Sequence, residues 1–411
     1  MSSIREHRML SGRPRSNAVT LAVVLTIGLF PLMFVGEPVR AFAAGQKALS
    51  TEETSLRKTP SPDGEWQFVV SGDSRNCGDV VMPAIAAQSA HYKPSFYWHL
   101  GDLRAIYKID EDMAAAATRA GETLSCEVYH RRAWSDFIEN QIAPFGDTPF
   151  FVGIGNHEVI PPKTEEKFTT QFADWLLTPV LQDQRRRDGE QGTLQPRAYY
   201  HWVQGGVDFI YLDNASDAFS EQQLKWFDRV LAGDAADEGV RSIVVGMHEA
   251  LPDSIARNHS MCDNPQEPDS CTSGRHVYEA LLDFQNKKPV YVLASHSHYY
   301  MEGIFDNLPP QRRLPGWIIG TAGAVRYALP KAPPPNAKTD VYGFLLATVD
   351  REGRIKFEFQ QVHKSDVPAS VQRRYPSSLI RWCFAHNSAN LDPTAPDTTA
   401  RCTPPLPAAS R

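Results

Sequence analysis

The sequence predicts an α/β domain, and three observations point there. Short apolar runs rich in β-branched and aromatic residues alternate with helical patterns over about 300 residues. The composition, 42% hydrophobic and 22% charged, suits a chain that buries a sizeable core, not a disordered, collagen-like or multi-span membrane chain. The polar residues with the most chemical potential stand directly after the strand-like runs, where the loops of an open sheet converge on one crevice.

Taken in order, Trp66–Ser71 reads as a strand ending in Gly72-Asp73, and a helical pattern follows at Val80–Ala90. Phe96–Leu100 ends in Gly101-Asp102 and Pro149–Ile154 in Gly155, with Arg131–Gln141 patterned as a helix between them. Glu165–Leu177 reads as a further helix. Tyr199–Val203 and Asp208–Leu212 read as paired strands before the helix Glu221–Leu231, which Ser220 is placed to cap. Ser242–Met247 leads to His248, and His276–Gln285 is helical in pattern. Val290–Ala294 then leads to Ser295-His296-Ser297-His298, and Trp317–Ile319, Gly343–Thr348 and Lys356–Gln361 complete the strands. Gln184–Asp188, with its three arginines, reads as a solvated loop, Pro330–Pro335 as a rigid surface loop and Asp392–Arg411 as an extended tail.

Residues 1–43 carry the marks of a targeting segment. Arg5, Arg8, Arg13 and Arg15 precede the apolar run Ala18–Val35, and Ala41-Phe42-Ala43 offers an A-x-A-like cleavage site. An uncleaved membrane anchor through residues 18–35 is the alternative, because a run of this length can just span a bilayer. Either way the body of the protein is expected to be exported, to a periplasmic or secreted location. Residues 44–63 read as a polar linker, 64–365 as the main domain and 366–411 as a C-terminal extension tied by a disulfide. The chain has a formal charge of −6. Setting the first 43 residues aside leaves 37 basic and 46 acidic residues, a net −9, which argues against nucleic acid as a partner. The six cysteines are an even count in an exported chain, so three disulfides are expected. Proximity in sequence suggests Cys262–Cys271, Cys383–Cys402 and Cys77–Cys126. There is no C-x-x-C pair, so a thiolate zinc site or thioredoxin-like centre is not expected.

The residues after the strands supply carboxylate, amide carbonyl and imidazole groups without thiolate. They are Asp73, Asp102, Asn156, His157, Glu158, His248, His296 and His298. That set suits a divalent or trivalent ion such as Zn, Fe or Mn. No G-x-S-x-G elbow occurs, and neither His157-Glu158 nor His248-Glu249 continues to the second histidine of H-E-x-x-H. Gly153-x-Gly155 lacks the third glycine of a dinucleotide fingerprint. His99 and His201 read as core or surface residues, while His130, His259, His276, His363 and His386 have no supporting motif.

Gly72-Asp73, Gly101-Asp102, Gly155-Asn156-His157-Glu158, the lone His248 and His296-Ser297-His298 follow one another in a defining order. In this the chain resembles the calcineurin-like metallophosphoesterase superfamily, from about Glu65 to Val362. The resemblance implies a two-sheet β-sandwich flanked by helices (α/β/β/α). It implies an enzyme, a hydrolase of phosphoric esters with two metal ions, in which metal-bound hydroxide attacks phosphorus in line. Asp102 would bridge the two ions. Asn156, His248 and His296 would complete one ion, while Asp73 and His298 would hold the other. His157 would sit over the scissile ester and protonate or electrostatically stabilise the leaving oxygen. The substrate would be a small phosphorylated molecule. A phosphomonoesterase of acid-phosphatase type is the favoured form, with a phosphodiesterase and a non-catalytic phosphate- or metal-binding module as alternatives.

One position departs from the family pattern. The common first motif is Asp-x-His, but here it reads Asp73-Ser74-Arg75, and guanidinium has no lone pair to offer a metal. Purple acid phosphatases also lack that histidine and use a tyrosine three residues after the bridging aspartate. Here that place is Ala105, and the nearest tyrosine is Tyr107. Arg75 can turn outward and grip the substrate phosphate as a fork, or replace the charge of one ion. The outward fork is the expectation, because Asp73, Asp102 and His298 still supply three ligands.

Overall fold

The computed structural model describes residues 64–256, 259–264, 268–386 and 401–402. The targeting segment and linker expected at residues 1–63 lie outside the described residues, as does most of the expected tail. Among the described residues, no helix is long and apolar enough to cross a membrane.

The chain begins with β1 (Trp66–Ser71), α1 (Gly78–Ser89), β2 (Tyr97–His99), α2 (Glu111–Arg119), α3 (Cys126–Phe137) and β3 (Phe150–Val152). It continues through α4 (Glu165–Gln171), α5 (Ala173–Leu176), α6 (Pro179–Arg187), β4 (Tyr200–Gln204) and β5 (Val207–Leu212). Next come α7 (Glu221–Ala236), β6 (Ser242–Met247), α8 (Pro268–Gln285), β7 (Val290–Ala294), β8 (Tyr300–Glu302) and β9 (Gly316–Ile319). It closes with β10 (Tyr342–Val349), β11 (Ile355–Val362), α9 (Ala369–Arg374) and α10 (Ser377–Arg381).

Two mixed sheets result, one ordered β11-β10-β1-β2-β3 and the other β4-β5-β6-β7-β9-β8. In the first, β1, β2 and β3 run parallel while β10 and β11 pair antiparallel. In the second, β5, β6, β7 and β9 run parallel, with β4 and β8 antiparallel at the edges. The alternation of side chains along a strand decides the packing. Phe209 and Tyr211 of β5 join a core shared with Phe68, Phe96, Trp98 and Phe151 of the first sheet. Ile210 and Leu212, on the other face, pack with Trp226, Phe227 and Val230 of α7 and Val277 and Leu281 of α8. Between the sheets the contacts are aromatic. Phe151 stacks on Trp202 at 3.9 Å, and Phe209 meets Phe68 edge-on at 5.0 Å and Phe96 edge-on at 5.1 Å. Ser220 caps α7 as the sequence suggests, its side chain accepting from Gln223 N at 3.2 Å.

Several expectations are corrected. The disulfides are Cys77–Cys383, Cys126–Cys402 and Cys262–Cys271, so only the short-range pair matches proximity in sequence. The two long-range bridges carry the C-terminal extension back to the segment after β1 and to the first residue of α3, because the fold and not the chain distance decides which sulfurs meet. Gln184–Asp188 is not a free loop. It closes α6, and Arg185 is buried, pairing with Glu190 at 2.6 Å and donating to the Gln195 carbonyl at 2.7 Å. The short strand β8 and helices α2, α6, α9 and α10 had no strong sequence pattern.

Candidate metal centre

Loops at the carboxyl ends of β1, β2, β3, β6 and β7 bring the expected residues together. Main-chain bonds lock the loops to one another. Asp73 N donates to the Gly101 carbonyl and Ser74 N to that of Asp102, each at 3.0 Å. The Glu158 carboxylate accepts from the amides of Asp102, Leu103 and Gly155 at 2.9–3.0 Å, tying the loops after β2 and β3. Gly155 permits their close approach: a Cβ there would lie 2.4 Å from Asp102 Oδ1.

Asp102 stands between two groups of ligand-type atoms. One comprises Asp102, His248 and His296, and the other Asp73, Asp102 and His298. In the first group, Asn156 Oδ1 lies 3.0 Å from His248 Nε2 and 3.2 Å from His296 Nδ1, and the two ring nitrogens are 3.1 Å apart. Asp102 Oδ1 is 3.3 Å from His248 Nε2. His248 Nδ1 faces the Leu100 carbonyl and Ser295 Oγ, both at 3.0 Å, which leaves Nε2 directed at the cluster. Four acceptor-type atoms so close together repel unless a positive charge joins them. Burial opposes such a charge on His248, yet Asp102 pushes its pKa up to about 10, so this corner favours a cation. The set fits a metal ion of N/O preference.

The other group does not fit an ion in the same way, because Arg75 points into it. Its Nη2 lies 2.7 Å from His298 Nε2 and its Nη1 2.5 Å from His157 Nε2. Nε is 3.7 Å from Asp102 Oδ2, and Nη2 also reaches the Tyr327 hydroxyl at 3.4 Å. The outward orientation expected of Arg75 is therefore absent: the residue is buried with its guanidinium among the expected ligands. His157 likewise has both ring nitrogens engaged, Nδ1 donating to the Ala105 carbonyl at 2.5 Å and Nε2 accepting from Arg75. Burial and then Arg75 bring its pKa down to about 3. Burial alone would raise the Asp102 carboxyl, but His157, His248 and Arg75 outweigh it and hold the group well below the usual range.

Sequence reasoning passed over several residues here. His259 lies edge-on to His296 at 5.3 Å and stacks on Tyr327 at 5.1 Å, although no motif marks it. Tyr327 stacks on His298 at 3.9 Å, and Tyr107 lies 5.4 Å from His157. Asn214 Oδ1 accepts from the amides of His248 and Glu249 at 3.2 and 3.1 Å, fixing the loop after β6. Asn214 stands at a strand end, a signal that the motif order alone did not weight.

Two mixed sheets with flanking helices thus gather acceptor side chains at their strand ends. The chain belongs to the calcineurin-like phosphoesterase family, whose model matches residues 72–300. Members of that family typically bind two metal ions, and this chain gathers two groups of ligand-type residues. Among solved structures, similar ones include a purple acid phosphatase from yellow lupin (Lupinus luteus) seeds, 15% identical, with a TM-score of 0.49. That alignment covers 74% of this chain and 52% of the lupin protein, so the chain spans about half of that relative. PhoD is 14% identical over 73% of this chain and 70% of its own, with a TM-score of 0.43. A 5'-nucleotidase from Candida albicans is 14% identical over 77% of this chain and 58% of its own, with a TM-score of 0.38. No curated protein sequence matches the chain.

Proposed function

We propose that the protein is an exported, metal-dependent phosphomonoesterase working through Asp102, Asn156, His248 and His296. The convergence of their acceptor atoms carries this reading: those of Asp102, His248 and His296 lie within 4.8 Å of one another, and Asn156 Oδ1 lies 3.0 and 3.2 Å from the two histidines. An ion of Fe, Mn or Zn type held there supplies Lewis acidity, polarising a phosphoryl oxygen and making water a better nucleophile. The chain's own residues bind and orient the ester. Arg75 offers guanidinium hydrogens to the phosphoryl oxygens, and His157, anchored on Ala105, keeps that guanidinium in place. Arg75 thus binds the substrate directly and His157 through it, with electrostatic stabilisation of the leaving oxygen by the guanidinium in place of proton donation by His157. Water oxygen bonds to phosphorus, the ester P–O bond opposite it breaks, and the departing alkoxide gains the proton that water loses.

The monoester preference rests on access. Asn156, His296, His259, Tyr107 and Tyr327 are partly exposed, while Arg75, His157, Asp73 and Asp102 are buried. A terminal phosphoryl group carries one substituent and can enter such a site more deeply than a doubly substituted one. Export is supported by the three disulfides, which persist in oxidising compartments. Purified protein, stripped of metal and then refilled, should regain hydrolysis of chromogenic monoesters and act more slowly on diesters. Faster turnover of the diesters would reverse the preference while leaving the hydrolase intact.

A further inference from the structure

The guanidinium of Arg75 stands where a second ion would need its ligands. His298 and His157 each have Nδ1 fixed on a main-chain carbonyl, those of Val325 and Ala105, both at 2.5 Å. Each ring therefore turns an Nε2 lone pair inward, and both lone pairs meet guanidinium hydrogens, at 2.7 and 2.5 Å. The carboxylates of Asp73 and Asp102 complete a negative rim: Asp73 Oδ1 is 3.3 Å from His298 Nε2, and Asp102 Oδ2 is 3.7 Å from Arg75 Nε. A buried guanidinium is tolerated only where acceptors and opposite charge surround it, and this rim provides both. A metal bound to His298 needs the same lone pair at about 2.0–2.1 Å, which the guanidinium already takes. Tyr327, stacked on His298 at 3.9 Å, closes the far side.

We infer that Arg75 is a resident organic cation at the Asp73–Asp102–His298 position, so that the site holds one metal ion, at Asp102, Asn156, His248 and His296. This rests on the hydrolase reading above and refines it. The positive charge facing the substrate then comes partly from a group that neither dissociates nor titrates near neutral pH. Asp73 and His298 serve to position Arg75 and are not ligands.

Metal stoichiometry tests this without recourse to activity. Stripped protein is titrated with Mn²⁺ by calorimetry, and the loaded samples are examined by electron paramagnetic resonance. Wild type should bind one equivalent and give the six-line spectrum of an isolated ion. Arg75→His should bind two equivalents and give the spectrum of an exchange-coupled pair. His298→Asn should leave the stoichiometry at one. Two coupled ions in the wild type would overturn the inference while sparing the hydrolase reading. So would a His298→Asn variant that loses its metal, or Arg75→His remaining at one. No bound ion at any concentration would overturn both.

Discussion

Asp73, Asp102 and His296 are non-glycine residues held at φ values of 60°, 59° and 63°. Such conformations cost of order 1–3 kcal/mol each and persist where surrounding bonds over-determine them. Two such bonds hold the loops here: Asp73 Oδ2 accepts from His296 N at 2.7 Å, and Asp102 Oδ1 from His157 N at 3.0 Å. Three of the left-handed non-glycine residues thus line the candidate metal centre, and others, such as Lys93 and Asp340, lie away from it. The support behind His248 is similarly specific. Ser295 Oγ lies 3.0 Å from its Nδ1 and donates to the Leu100 carbonyl at 2.9 Å. Ser295→Ala should weaken metal affinity by about 10–100-fold with the fold retained. Calorimetry beside circular dichroism checks this, and an unchanged affinity would mean that Leu100 alone orients the ring. Most ligand-type residues at this scale were legible, because each follows a strand, Asp73, Asp102 and Asn156 directly after a glycine. Arg75 was legible only as an anomaly. Its type excludes ligation, but nothing in the sequence says whether the side chain turns toward Asp102 or away from it.

At the scale of elements, the strands were read well where a continuous apolar, β-branched run stood out, as in β1, β6 and β7. The three-residue β8 offers too few positions for a period to emerge. Two of the three disulfides were misread because the segments before α1 and at the start of α3 are distant in sequence from the C-terminal extension but adjacent to it in space. Replacing Cys77 and Cys383 together by Ser should lower stability by about 2–5 kcal/mol. Mapping of unreduced peptides should recover Cys77 with Cys383, and a Cys77–Cys126 peptide would contradict the fold at that point. A second element-level feature is His201 of β4, 2.7 Å from Asp208 and 2.8 Å from Asp188. Burial opposes its charge, but Asp208 and Asp188 push its pKa up to about 10, while burial and Asp208 raise nearby Asp234 to about 9. Both folded values exceed the unfolded ones. The His201 contribution is therefore complete below about pH 6.5 and lost as pH rises toward 10. The denaturation midpoint of wild type should fall across that window more steeply than that of His201→Gln; parallel curves would exclude the linkage.

Over the whole molecule, both sheets send strand ends to one edge, and the site exists only because they face each other across an aromatic core. The order of the motifs made this architecture legible before any coordinate, because strand-end loops of a parallel sheet share one rim. The sequence did not disclose how the extension returns to the catalytic domain, since that contact depends on the finished surface. Export is tested by the amino terminus of the mature protein recovered outside the cytoplasm, expected directly after Ala43. An intact segment through residue 35 would instead mark an anchor. The central claim is that metal held by Asp102, Asn156, His248 and His296 enables hydrolysis of phosphoric esters. The most direct measurement is hydrolysis of a chromogenic phosphomonoester by wild type and Asp102→Ala, each assayed after chelation and after refilling, with metal content determined in parallel. The account predicts that activity in the wild type follows bound metal, and that Asp102→Ala loses both. Full activity in metal-free wild type, or in metal-free Asp102→Ala, would contradict it.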